Sequence, residues 1–180
     1  TLGVRGALRR DENNRVTAVG RYAQANWHFA DAWSLLAGMR HSRVRFRVED
    51  SYITAGNPDD SGARTYSATT PVAGLLFRAN ATANLYASWG KGFETPSFAE
   101  LGYRADGGAG LNLALVPARS RNAELGAKLR FGERAEANVA VFRSDTADEI
   151  AVATNAGGRT SYRNIGHARV VGMRQHDPGI

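Results

Sequence analysis

The 180-residue chain has no cysteine, which excludes a disulfide framework and any thiolate metal site. Long hydrophobic runs are also missing. The longest mostly apolar stretch, Pro71 to Phe77, falls far short of the roughly 20 residues that a spanning helix needs. A membrane helix is therefore excluded, but a membrane barrel is not, because its strands need apolar groups only at alternate positions. No G-x-x-x-x-G-K-[ST], H-E-x-x-H or G-x-S-x-G signature occurs, and Gly90-Lys91-Gly92 lacks the rest of a phosphate loop. The histidines at 28, 41, 167 and 176 have no metal-ligand spacing. Asp148 and Glu149 read as solvated carboxylates, so no catalytic residue, metal or cofactor is expected. The 23 Lys+Arg exceed the 17 Asp+Glu, giving a formal charge of +6. These cations are dispersed, apart from the run Arg40 to Arg47, and a nucleic-acid partner is not expected. The chain opens on Thr1 with no charged-then-apolar leader, so an export leader is expected outside this segment.

What the chain has is glycine, small polar residues and alternation. Arg119 to Phe131 is the cleanest case: Ala123, Leu125, Ala127, Leu129 and Phe131 alternate with Ser120, Asn122, Glu124, Gly126, Lys128 and Arg130. That is period 2, the signature of a half-buried strand. Similar alternation marks strands at Leu2–Leu8, Val16–Trp27, Trp33–Val48, Thr65–Arg78, Leu85–Gly90, Ala135–Ser144 and Thr160–Asn164, with a last start at Val170. Short turns are predicted at His28–Ala32, Ala79–Ala83, Gly132–Arg134 and Ile165–Arg169. Long loops are predicted at Glu49–Arg64, Glu94–Ala118 and Asp145–Arg159. The fold class is therefore all-β: an antiparallel up-and-down meander of about eight strands from a larger transmembrane β-barrel, with the long loops at one end.

The apolar face carries Trp33, Trp89 and Phe131 near strand ends, where an aromatic girdle would sit. In Trp33–Val48 the phase flips. Trp33, Leu35, Ala37 and Met39 are apolar at odd positions, then Val44, Phe46 and Val48 at even ones, with Arg43, Arg45 and Arg47 between. Either a bulge or a strand end that has left the membrane would produce this.

Four stretches carry a family resemblance. Tyr86 to Leu101 reads Y-A-S-W-G-K-G-F-E-T-P-S-F-A-E-L, with Tyr86, Gly90, Gly92, Phe93, Thr95, Pro96, Glu100 and Leu101 as its marked positions. The strand is expected to break at Gly90-Lys91-Gly92-Phe93. Leu115 to Lys128 supplies Pro117, Ser120, Glu124 and Gly126, with Ala118 where an acidic residue is usual. Asp148-Glu149-Ile150 follows as an outer-loop segment. Tyr162 to Gly172, Y-R-N-I-G-H-A-R-V-V-G, supplies Tyr162, Asn164, Gly166 and Gly172 as a periplasmic turn. Together they resemble the TonB-dependent outer-membrane receptors, siderophore receptors among them, in the C-terminal half of the barrel.

The resemblance implies a partial barrel domain over 1–173 and an aberrant or truncated tail over 174–180. It implies bacterial outer-membrane localisation and energy-dependent uptake of a bulky, scarce ligand, foremost an iron–siderophore complex. Implied partners are outer-membrane lipid and lipopolysaccharide, a metal-chelate ligand, and the TonB energy-coupling protein through a segment outside this chain. Tyr103, Arg104 and Asp106 in the longest loop are the expected ligand contacts, since aromatics and arginine suit a planar, anionic chelate. A passive porin-like or structural barrel and a soluble basic β-domain binding polyanions are the competing readings.

Overall fold

A computed structural model of the protein describes residues 6–8, 10–108, 110–132 and 135–176. Seven strands follow one another: β1 (Glu12–Ala30), β2 (Trp33–Asp50), β3 (Gly62–Asn80), β4 (Ala83–Glu94), β5 (Ala118–Phe131), β6 (Ala135–Ala156) and β7 (Arg159–His176). They form one antiparallel sheet in sequence order. Among the described residues the single helix is α1 (Phe98–Leu101), in the β4–β5 connection.

Register decides which side chains share a face. Trp27 pairs with Leu35, Leu35 with Leu75, Leu75 with Ala87, Ala87 with Leu125 and Leu125 with Val141. One row of apolar side chains thus crosses six strands on the odd-numbered face. These groups are not covered: Trp27, Leu85, Trp89, Leu125, Val141, Val171 and Met173 are all exposed large hydrophobics. A soluble barrel would pack this face inward, whereas a membrane barrel turns it to lipid. Trp27, Phe29, Trp33 and Phe77 meet in a chain of ring contacts at the short-turn end, with Trp33 and Phe77 stacked at 4.5 Å. Such an aromatic belt sits at a membrane–water interface.

The even-numbered face at the same depth is mixed, with Asn26, Ser88 and Glu124 in one row with Leu36 and Phe142, and it uses glycine for close packing. Tyr86 lies opposite Gly126, and a Cβ there would meet the phenol ring at 2.4 Å; Phe142 covers Gly172 in the same way at 2.5 Å. The aromatic ring replaces the side chain that its cross-strand glycine lacks. Substituting either glycine would displace a ring.

Several sequence-based expectations need correction. Among the described residues the meander has seven strands: residues 6–8 form no strand, and the rest of the Leu2–Leu8 candidate lies outside the described residues. The loop expected over Asp145–Arg159 is strand, with β6 running to Ala156. It turns back through Gly157 and Gly158 alone, both at positive φ, as a two-residue hairpin turn requires. The turn expected over Ile165–Arg169 lies inside β7, as does all of Tyr162–Gly172, and Asp148-Glu149-Ile150 lies inside β6. Above the membrane both faces of a ribbon are wet, so the ladder persists without the apolar alternation by which strands are recognised. β4 also continues through Gly90 and Gly92 to Glu94. Gly92 is needed there because a Cβ would strike the Ser120 hydroxyl at 2.2 Å. Residues 174–176 continue β7, and 177–180 lie outside the described residues.

The phase flip in β2 has a simple cause. Pairing with β3 runs unbroken from Trp33–Phe77 to Val48–Gly62, so no bulge exists. The apolar residues move from the outer face to the inner one because something covers the inner face at that height.

Candidate functional site

What covers it is the connection between β4 and β5. After Glu94, Pro96 is fully buried and Ser97 caps α1. Ser97 Oγ accepts from the Glu100 amide at 3.4 Å, and Glu100 Oε2 accepts from the Ser97 amide at 2.7 Å. This reciprocal capping box accounts for the spacing of Ser97 and Glu100. The turn drives Leu101, 0% exposed, into a cluster with Phe46, Tyr66 and Leu115, edged by Val44, Phe93, Phe98 and Tyr162. Phe46 meets Tyr66 and Phe98 edge-on at 5.9 and 5.1 Å. Burying Leu101 stabilises the cap by about 1.5–3 kcal/mol.

Hydrogen bonds tie the same loop across the sheet. The Tyr66 hydroxyl, on β3, donates to the Leu115 carbonyl at 3.1 Å. The next amide, Val116, donates to Asn164 Oδ1 on β7 at 2.9 Å, and Asn164 Nδ2 donates to the carbonyls of Val116 at 2.8 Å and Asp148 at 2.7 Å. Asn112 Nδ2 donates to the Tyr162 carbonyl at 2.8 Å. One peptide unit, Leu115–Val116, is thus held by strands that a flat sheet would place about 19 Å apart. The sheet must curl around the loop.

A groove of about 470 Å³ opens between this loop and β7, lined by Arg104, Asp106, Asn112, Leu115, Tyr162 and Asn164, with Arg163 beside them. Its guanidinium, carboxylate and amide groups over an apolar floor suit a polar or charged small molecule. Arg104 forks onto Asp106, with Nε to Oδ1 at 3.0 Å and a terminal nitrogen to Oδ2 at 2.5 Å. With the Gly108 amide adding a bond at 3.0 Å, the Asp106 carboxyl is held down at about 2, the Arg104 hydrogen bond being the largest cause. In the neighbouring loop, Asp60 is pushed up by burial first and by Asp50 and Glu12 second.

Of the three expected ligand contacts, Arg104 and Asp106 line the groove and Tyr103 does not. Tyr103 sits between the guanidinium groups of Arg10 (5.9 Å) and Arg159 (5.3 Å). Sequence reasoning missed Asn112 as a tether and took Tyr162 and Asn164 for turn residues. The leucines at 111, 113 and 115 were the available signal, since an exposed loop has no use for three. Deeper on the inner wall, Glu124 accepts from the Tyr86 hydroxyl at 2.6 Å and from Arg174 at 2.9 Å. Its place in the sequence motif therefore corresponds to a polar hub in the wall.

A curled antiparallel sheet with lipid-facing apolar rows, a mixed inner wall and a loop folded over one mouth is a sector of an outer-membrane barrel. Residues 2–173 match the family described as TonB dependent receptor-like, beta-barrel, and the chain belongs to that family. It is accordingly an outer-membrane protein. Solved structures share the fold. The copper transporter OprC aligns at TM-score 0.75 and 19% identity, over 90% of this chain and 26% of its own. The Serratia marcescens hemophore receptor HasR, in a complex with its hemophore HasA and heme, aligns at 0.73 and 21%, over 90% and 31%. The Bordetella pertussis alcaligin receptor FauA aligns at 0.64 and 24%, over 93% and 28%. The chain thus spans about a quarter to a third of the length of these proteins.

Proposed function

We propose that the chain forms a seven-stranded sector, with the loop cap at its outer mouth, of a receptor for energy-dependent uptake of a bulky, scarce ligand. An iron–siderophore complex is the foremost candidate. The observation that carries this reading is the groove between residues 104–115 and β7, which sits at the mouth of the barrel and offers arginine and amide donors. A ferric chelate is too large for passive pores and is commonly anionic, so a receptor must bind it by charge and shape before moving it. Relatives of the same fold carry copper, heme and siderophore cargo by their names, which fits a metal-bearing ligand without choosing among them. Energy coupling would come from the TonB protein, through a segment outside this chain.

The test is binding and uptake by the barrel that contains this segment. Ferric hydroxamate, ferric catecholate and heme are titrated against the purified barrel, and radioiron uptake is followed in cells with and without a protonophore. Saturable binding of one chelate, weakened about tenfold or more by Arg104→Ala, with uptake abolished by the protonophore, supports the proposal. Protonophore-insensitive flux that ignores Arg104 would leave a passive pore.

A further inference from the structure

The outer part of β6 outlasts the strand before it. The last pair between β5 and β6 is Arg119–Ala147, and β5 itself begins at Ala118. From Ala147 outward β6 keeps β7 as its partner, as far as Ala156–Arg159 at the hairpin tip. On its β5 side this ribbon has no further strand to fix its direction. The backbone bends where that support ends. Asp148 has φ 58°, the one positive φ of a non-glycine residue among the described residues, and it falls between the pairs Ala147–His167 and Glu149–Ile165. Left-handed backbone is unfavourable for a residue with a Cβ and persists only where the surroundings hold it.

What holds it is Asn164. Its Nδ2 donates to the carbonyl of Asp148 itself at 2.7 Å and to the Val116 carbonyl of the cap at 2.8 Å. Its Oδ1 accepts from the Val116 amide at 2.9 Å, so one side chain joins the bent residue to the loop. Packing on the partner strand does not do the same: a Cβ on Gly166, in β7 between the same two pairs, would meet no atom within 4 Å. Farther up, Asn112 reaches the Tyr162 carbonyl at 2.8 Å, and the Arg159 guanidinium lies 5.3 Å from the Tyr103 ring. Ribbon and cap are thus fastened at several heights. The groove lies in the seam, with Arg104, Asp106 and Asn112 on one side and Tyr162 and Asn164 on the other. From Glu149 to Ala156 the ribbon extends about 27 Å, so a change of about 10° at its base would move the tip by about 5 Å and Tyr162 by about 2 Å. A shift of that size parts the hydrogen bonds along the seam.

We infer that Asp148 and Asn164 are positioning residues for the groove. The left-handed backbone at Asp148 aims the ribbon over the cap, and Asn164 locks that aim to the Leu115–Val116 peptide. Asp148 acts through its backbone, while its exposed carboxylate is left over. The groove is therefore formed before any ligand arrives, and its width is set at the base of the ribbon. The inference rests on the reading of this groove as the receptor's ligand site.

The experiment uses the barrel that contains this segment. Spin labels go on Ala99→Cys in the cap and Ala156→Cys at the ribbon tip, both exposed, in a segment with no cysteine of its own. The distance between the labels is measured without ligand, and ferric hydroxamate, ferric catecholate and heme are titrated against the unlabelled barrel. Asp148→Gly and Asp148→Asn accept the left-handed backbone, so both keep one narrow distance and an affinity within about twofold of the wild type. Asp148→Val and Asn164→Leu broaden the distance and weaken the chelate that the wild type binds by about tenfold, while the barrel keeps its heat-resistant mobility on a denaturing gel. Rescue by glycine separates the backbone from the carboxylate. Should Asp148→Val fail to fold, Asn164→Leu and Asp148→Gly carry the same comparison. If Asp148→Gly loses as much affinity as Asn164→Leu, the carboxylate touches the ligand and the inference is overturned. A label distance unchanged in Asn164→Leu overturns it as well. A wild type that binds none of the three chelates would sink the reading of the groove as their site, whereas the label distances still decide on the positioning, which keeps the two failures apart.

Discussion

The lower and upper halves of β2 are one strand under opposite rules. From Trp33 to Met39 the odd positions are apolar and face outward, and Met39 is exposed. From Val44 to Val48 the even positions are apolar and face inward: Phe46 is buried and Val44 half-buried against the cluster of Leu101 and Leu115, and Val48 is buried too. The backbone does not change register between them. What changes is the solvent: hydrocarbon outside the lower half, and water outside with a folded loop inside the upper half. A hydrophobic pattern therefore reports where the apolar phase lies, and it inverts where that phase moves from lipid to protein.

The sharpest way to break the comparison is at the upper half, where the apolar contact is protein. Leu101→Ala removes a side chain with no exposure, and the cap is expected to lose about 2–5 kcal/mol. Limited proteolysis should then cut the loop at 95–117 far faster, while the barrel keeps its heat-resistant mobility on a denaturing gel. An unchanged cleavage rate would mean that the loop is held without its apolar anchor.

At the lower half the same logic predicts sensitivity to charge rather than to cavities. Leu125 sits at mid-belt between Ala87 and Val141, and Leu125→Arg should cost about 2–4 kcal/mol in a bilayer. Lys128→Gln, three residues on and facing the inner wall, should be nearly neutral. Equilibrium folding into vesicles measures both, and equal costs would erase the distinction between the faces.

How much of this was legible in the sequence follows the same boundary. Leu85, Ala87 and Trp89, and the run from Ala123 to Phe131, lie at membrane depth, where one face must be apolar, so they could be read directly. Ser97 and Glu100 stand three residues apart as a capping box does, a signal that the reading of 94–118 as a loop passes over. The upper parts of β6 and β7 could not be read, because Glu149, Arg163 and Asn164 lie where neither face is constrained to be apolar. The ladder is carried there by backbone hydrogen bonds, which leave no trace in side-chain pattern. Gly157-Gly158 was the one clue that a hairpin, rather than a long loop, closes that end. The groove was half legible: polarity pointed to Arg104 and Asp106, but only folding brings Asn112 and Asn164 to the same place.

A milder test concerns the hydrogen bond that joins β3 to the cap. Tyr66→Phe keeps the ring against Phe46 and removes the donor to the Leu115 carbonyl. Asn164 still holds the same peptide through Val116, so the loss should be about 0.5–1.5 kcal/mol. Hydrogen exchange at Val116 should speed up by about tenfold at most, and a larger change would make Tyr66 the main tether.

The smallest effect is electrostatic and lies at the rim of the groove. Asp106 has its carboxyl depressed to about 2 by Arg104 and the Gly108 amide, from an ordinary value of 3.8. A depressed carboxyl favours the folded loop fully above its unfolded value, and that contribution fades as pH falls from about 4 to 2. Both side chains are exposed, so the effect on global stability should be slight. Locally it should be visible: the Arg104–Asp106 fork should hold unchanged from pH 8 to 5 and open only below about 3, releasing the arginine. Asp106→Asn weakens the fork at every pH, so anionic chelates should bind that variant slightly more tightly at neutral pH, with the gain shrinking as the wild type is acidified. Titrating one chelate of pH-independent charge against both proteins checks this. A gain that persists below pH 3 would mean that Asp106 acts on the ligand directly rather than by occupying Arg104.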